Sequence, residues 1–207
     1  MGWRAHRSSQ ATQEITFQHG ANGYYGGEDT YIVTTDWEPP TTHDTFPALY
    51  IRVNYPNDQI YSSLIRFNDA ALPAGAEIVK AQLDMYYAGQ SVNGGDLTAY
   101  VAYTKEPWKA SETTWVNFQT SLYWNATGVK GVDDRDPHVY VLPVNYQQVG
   151  NWLSFDVTQV VKDTPGDDYD FFFYGSFAGV NKNIYFRSND YWQVSERPKL
   201  TIWYRMP

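Results

Sequence analysis

The sequence predicts an all-β protein, a jelly-roll β-sandwich with a single domain and one short helix. Three observations carry this. Short alternating runs rich in β-branched and aromatic residues recur along all 207 residues. Turn signals built on Gly, Pro, Asn and Asp separate them, a spacing that suits a sandwich. Helical periodicity is nearly absent, which argues against an α/β fold.

The clearest strands flank one turn. Ser63 to Phe67 and Ile78 to Tyr87 both alternate, and Ala81 starts the phase that carries Leu83, Met85 and Tyr87 to one face. A period of two means one buried and one wet face, so the pair is expected to be central. Leu72-Pro73-Ala74-Gly75 makes the turn between them, with Pro expected at a central position. In chain order, residues 1–13 read as an N-terminal arm or a remnant foreign to the fold, and 14–207 as the domain. Ile15 to Phe17 opens the sheet. The Gly-rich stretch His19 to Asp29 is a loop with positive φ angles. Thr30 to Thr34 and Leu49 to Val53 are strands, parted by the Pro-Pro loop Asp36 to Phe46.

After the Asn93 to Asp96 turn, Leu97 to Thr104 is a strand. Glu106 to Trp124 is irregular and polar, with Trp108 and Trp115 expected to plug the core under a long loop. Val139 to Val144 and Trp152 to Val157 are strands. Thr158 to Asp163 is the helix, with Asp156 as its cap and Pro165-Gly166 as its stop. Asp170 to Tyr174, Ile184 to Arg187 and Leu200 to Tyr204 close the sheet.

Bulk properties exclude several classes. Cysteine is absent, so there is no disulfide framework, thiol catalysis or thiolate metal site. A net charge of −8 without a basic run disfavours nucleic acid as a partner. No stretch is apolar and long enough for membrane insertion as a helix. MGWRAHRSSQATQE has no apolar run and does not read as a secretory signal. An extracellular or virion surface is the expected setting. Asn125-Ala126-Thr127 is a glycosylation sequon, which matters only in a secretory route that reads it.

No catalytic pattern emerges. Asp133, Asp134 and Asp136 are a charge cluster that reads as a solvated loop rather than a glycosidase pair. His6, His19, His43 and His138 lack metal-ligand spacing, and there is no Gly-x-Ser-x-Gly elbow. The protein is therefore expected not to be an enzyme. No cofactor is required. A structural calcium is an expectation, with Glu28, Asp29, Asp133, Asp134, Asp136 and Asp156 as candidate ligands. Aromatics number 18 Tyr, 10 Phe and 8 Trp, and those in loops suit stacking on sugars: Trp37, Tyr24, Tyr25, Trp124, Tyr191 and Trp192. Arg66 and Arg187 are candidates for an acidic sugar's carboxylate.

An ordered set of landmarks resembles the DNRLRE-type domain, a carbohydrate-binding module family with alginate-binding members. The matching pieces are residues 20–32 (GANGYYGGEDTYI), 63–67 (SLIRF), 72–76 (LPAGA), 81–83 (AQL), 106–108 (EPW) and 112–115 (ETTW). Residues 152–158, 186–188 (FRS) and 196–201 (ERPKLT) complete it. The name-giving hexapeptide is absent. The resemblance implies a non-catalytic jelly roll that binds polysaccharide. Against this stands a purely structural reading: a virion decoration, fibre or surface-layer subunit whose partners are other copies or proteins of an assembly.

Overall fold

The structure is a computed structural model. It describes residues 11–36, 42–54, 59–91, 97–136, 140–164, 166, 168–175 and 182–207. The expectations for residues 1–10, for Trp37 and for the turns at 55–58 and 93–96 lie outside these residues.

The strands are β1 (Gln13–Gln18), β2 (Gly27–Val33), β3 (Ala48–Asn54), β4 (Gln59–Phe67), β5 (Glu77–Ser91), β6 (Leu97–Tyr103), β7 (Asn117–Gln119), β8 (Leu122–Tyr123) and β9 (Tyr140–Val144). Then follow β10 (Trp152–Asp156), the helix α1 (Thr158–Asp163), β11 (Tyr169–Gly175), β12 (Lys182–Arg187) and β13 (Lys199–Arg205). Eleven strands join in one antiparallel ladder, β1-β13-β5-β12-β3-β4-β11-β6-β9, with β10 on β5 and β2 on β4. The ladder folds over on itself where β3 and β4 pair only at Arg52–Asn54, which makes an all-β sandwich. One layer holds β1, β13, β5, β10, β12 and β3. The other holds β2, β4, β11, β6 and β9.

The core between the layers follows from strand alternation. β5 turns Ala81, Leu83, Met85 and Tyr87 inward, where they meet Leu49, Ile51, Ile184, Phe186, Leu200 and Ile202 of the same layer. Ile65, Phe67, Phe171, Phe173, Ala99 and Val101 come from the opposite layer. Each fully buried aliphatic or aromatic chain here contributes roughly 1.5–3 kcal/mol. Register shifts where Tyr204 pairs Ile78 and Trp203 pairs Lys80, leaving Val79 as the extra residue. This bulge resets the phase between Ile78 and Ala81.

Two details differ from the sequence reading. The strands around Pro73 do not pair with each other: β4 lies in one layer and β5 in the other. Their connection crosses the sandwich, and its tight turn closes from the Ala76 N–H to the Pro73 carbonyl at 3.0 Å. Ala74 and Gly75 are thus central, with Gly75 at φ +83°, because that position needs a left-handed residue. At the helix start, Val157 is the cap residue and makes no side-chain bond. Asp156 sits one position earlier and accepts the Thr158 N–H at 3.0 Å, so it satisfies a free helix donor from outside the cap position.

β4 departs most from simple alternation. Ser62, Ser63, Leu64 and Ile65 are all buried, since both faces of this strand are covered. Its outer face carries a second apolar cluster of Ile32, Leu64, Phe172, Trp108, Ala110, Trp115, Phe118, Trp124 and Val129. The expectation that Trp108 and Trp115 lie under a long loop needs one change. The segment 105–136 is itself a cap on the outside of the second layer, and its tryptophans fill the space between cap and sheet.

Candidate functional site

Cross-strand pairing arranges the outer face of the second layer in rows. Glu28, Arg66 and Asp170 stand side by side on β2, β4 and β11. Arg66 Nε donates to Asp170 Oδ1 at 2.5 Å and its Nη1 to the Trp108 carbonyl at 2.8 Å. Its guanidinium lies 4.6 Å from the Trp108 ring centroid. Arg66 therefore fastens the cap to the sheet. Burial pushes the Asp170 carboxyl up to about 6, against the pull of the Arg66 charge and hydrogen bond.

The next row beyond Leu64 opens into a groove. Tyr174 of β11 pairs in register with Tyr100 of β6, and their rings stack at 5.1 Å between centroids and 17° between planes. Phe172 stacks on Tyr174 at 5.3 Å. The ladder is therefore Phe172, Tyr174, Tyr100. Arg135 stands over it, 4.4 Å from the Tyr174 centroid. Lys130 Nζ lies 5.1 Å from the Trp115 centroid. Ser62, Trp115, Gly128, Lys130, Arg135 and the rings of Phe172 and Tyr174 line a cavity of about 210 Å³. Burial raises the Tyr174 hydroxyl pKa and Arg135 draws it partly back, so the phenol stays protonated as a hydrogen-bonding group.

The cap places these cations by local chemistry. Arg135 forms an isolated antiparallel bridge with Thr104 at the end of β6. Asp134 is fully buried, and its carboxylate accepts the N–H groups of Asn125, Gly131 and Ala126 at 2.6, 2.7 and 2.9 Å. That turns residues 125–134 into a compact loop ending in the bridge. Gly128, at φ +76°, lies flat against the Trp115 ring, where a side chain has no room.

The expected site residues scatter. Trp124 is buried in the second cluster and donates its indole N–H to the Thr114 carbonyl at 3.0 Å. Tyr24 packs edge-on against Phe17 and donates its hydroxyl to the Asn68 carbonyl at 2.8 Å. Tyr25 and Trp192 are 71% and 76% exposed. Their loops meet through Arg197, which donates to the carbonyls of Tyr191 (2.7 Å) and His19 (3.2 Å). Arg187 pairs with Glu196 at 3.1 Å and covers the Tyr191 ring at 3.9 Å, away from Arg66. Asp133 is exposed and Asp136 half-buried, and both stand apart from Glu28 and Asp29, which line a separate polar cavity with Asn189. Asp156 is exposed and held by Thr158. Residues the sequence reading missed are Tyr100, Tyr174, Lys130 and Arg135. Tyr174 and Tyr100 lay in recognised strands, and only cross-strand register brings them together.

No curated protein sequence matches the chain. The sequence profile of carbohydrate-binding module family 96 matches residues 19–204, nearly the whole described fold, and the chain belongs to that family.

Proposed function

We propose that the chain is a non-catalytic binding module that holds an acidic polysaccharide at the groove lined by Tyr174, Phe172 and Arg135. The observation that carries this is the convergence of an aromatic ladder with two cationic side chains in one concavity. Aromatic rings offer apolar surface to the C–H face of a sugar ring. The Arg135 guanidinium offers paired donors that match a carboxylate. A cavity of about 210 Å³ is below the usual range for enclosed ligand pockets, which suits docking of one residue of a long chain rather than engulfing a free sugar. The net charge of −8 opposes a polyanion at long range, so the local cations are needed for such a ligand. A surface setting, on a cell or a virion, accords with a polysaccharide ligand and is the setting in which such binding becomes attachment.

Calorimetry with uronate oligomers, and with the same oligomers after carboxylate reduction, tests this. The uronate form is expected to bind and the reduced form to bind at least tenfold more weakly. Arg135→Ala is expected to lose about ten- to a hundredfold, in line with about 1.5–3 kcal/mol for a charged hydrogen bond, and Tyr174→Ala about tenfold with its stacking face. Unchanged binding in both variants, with loss in Trp192→Ala, moves the site to the exposed Tyr25/Trp192 end. No binding to any glycan, together with a stable oligomer by light scattering, favours the purely structural assembly role.

A further inference from the structure

We propose that the cavity between β2 and the loop after β12 binds a hard divalent cation of the calcium class, with Asp29 and Asn189 as its protein ligands. The cavity holds about 230 Å³ and is lined by Asp29, Asn189, Asp190, Asp44, Glu28 and His19 among others. Asp29 is 3% exposed. Its Oδ2 accepts the Asn189 N–H at 2.6 Å, but its Oδ1 is buried without any hydrogen-bond partner. Asn189 is 5% exposed, and neither its amide oxygen nor its amide nitrogen is partnered. A Cβ on Gly27 would run into that amide, so the glycine leaves room for Asn189 to lie along the cavity wall.

A buried carboxylate oxygen and a buried amide, both without hydrogen-bond partners and both lining one cavity, are costly. The groups around it add negative charge. Asp190 and Glu28 both act on Asp29 in the unfavourable sense, and Asp44 acts so on Asp190, with Arg197 as the opposing cation. A bound cation removes the cost at once. Its class follows from the donors. Among the described residues no three His, Asp or Glu side chains gather to ligate one ion, so backbone oxygens and water would complete the sphere of any cation held here. Calcium accepts carboxylate, amide and backbone oxygens, and water completes its sphere. Because the carboxylate is on β2 and the amide follows β12, the ion would tie the loop of Tyr191 and Trp192 to the sheet edge.

The test is thermal unfolding of the intact chain in EDTA and in 10 mM CaCl2, with calorimetric titration of CaCl2 and ZnCl2. Calcium is expected to bind with Kd on the order of 10⁻⁴–10⁻³ M, as in extracellular modules, and to raise Tm by about 5 °C. Asp29→Asn keeps an acceptor for the Asn189 N–H but removes the charge, and is expected to abolish both effects. Asn189→Asp adds a carboxylate and is expected to bind calcium about tenfold more tightly. An unchanged wild-type Tm with no titration heat overturns the proposal and leaves water as the cavity's occupant. So does a calcium response that Asp29→Asn retains, or zinc binding that His19→Ala abolishes.

Discussion

At the residue scale, the Arg66–Asp170 pair shows how a charge can be structural in a protein whose proposed ligand calls for charge. Arg66 was a candidate for binding a sugar carboxylate, but its carboxylate partner is within the fold. Removing one member of a buried pair strands the other, at about 3–5 kcal/mol. Arg66→Met is expected to lower stability by that amount at pH 7 in urea unfolding. Asp170 titrates at about 6, above its ordinary carboxylate value, with burial as the main cause. The folded state thus holds this proton more tightly than the unfolded chain. Its contribution is fully present below about pH 4 and is lost as pH rises through about 6, by roughly 3 kcal/mol. Asp29 and Asp190 are shifted in the same direction. His19 is lowered by burial and by Arg197 and opposes them within their window, whereas Asp156, lowered by its Thr158 bond, acts only below the ordinary carboxylate range. Stability should therefore fall between pH 4.5 and 7, and Asp170→Asn should flatten that slope. The Arg66→Met penalty should also shrink toward pH 5. A wild-type urea midpoint that is equal at both pH values contradicts this account.

At the element scale, the cap over residues 105–136 is the piece on which the groove depends. Its hold rests on the tryptophans of the second cluster and on Gly128 against Trp115. Gly128→Ala places a side chain at φ +76° against an indole, a combination that costs about 1–3 kcal/mol. The expected result is local: faster proteolysis within 105–136, weaker near-UV dichroism from the tryptophans and loss of glycan binding, with the β signature retained in the far-UV. Global unfolding instead would show that cap and sandwich form one cooperative unit. The strands on either side of the cap were legible from sequence because their alternation is a local property of the chain. The cap was not. Trp108, Trp115 and Trp124 follow no period, and what fixes them is the outer face of a sheet whose strands lie far away in the sequence.

At the scale of the whole molecule, the two ends of the chain pair with each other. β1 lies on β13 from Gln13↔Tyr204 to Gln18↔Lys199, and Phe17 is buried in the main core. A chain starting at residue 11 keeps this ladder, whereas one starting at residue 19 loses Phe17 and bares the edge of β13. The shorter chain is expected to lose about 3–5 kcal/mol, the scale of deleting a buried Phe, and to aggregate through the exposed edge. Equal denaturant midpoints for the two would show that β1 is dispensable. Folding of either should be slow, in the millisecond-to-second range, because β1, β4 and β5 all wait on partners distant in sequence.

By itself the sequence determined the strands of the two layers, the short helix and the sandwich class, because period-two alternation and turn chemistry are written locally; β7 and β8, in the cap, it did not. It also determined what the chain lacks, namely cysteine and any long basic run. Tertiary structure alone decided which side chains are covered and which share a groove. It buried Trp124, tied Arg66 into an ion pair, left Tyr25 and Trp192 exposed, and set Tyr174, Lys130 and Arg135 around one groove, with Tyr100 stacked behind Tyr174. The reason is physical: a side chain's availability depends on what covers it. Here the cover comes from cross-strand register and from a cap folded back over a distant sheet.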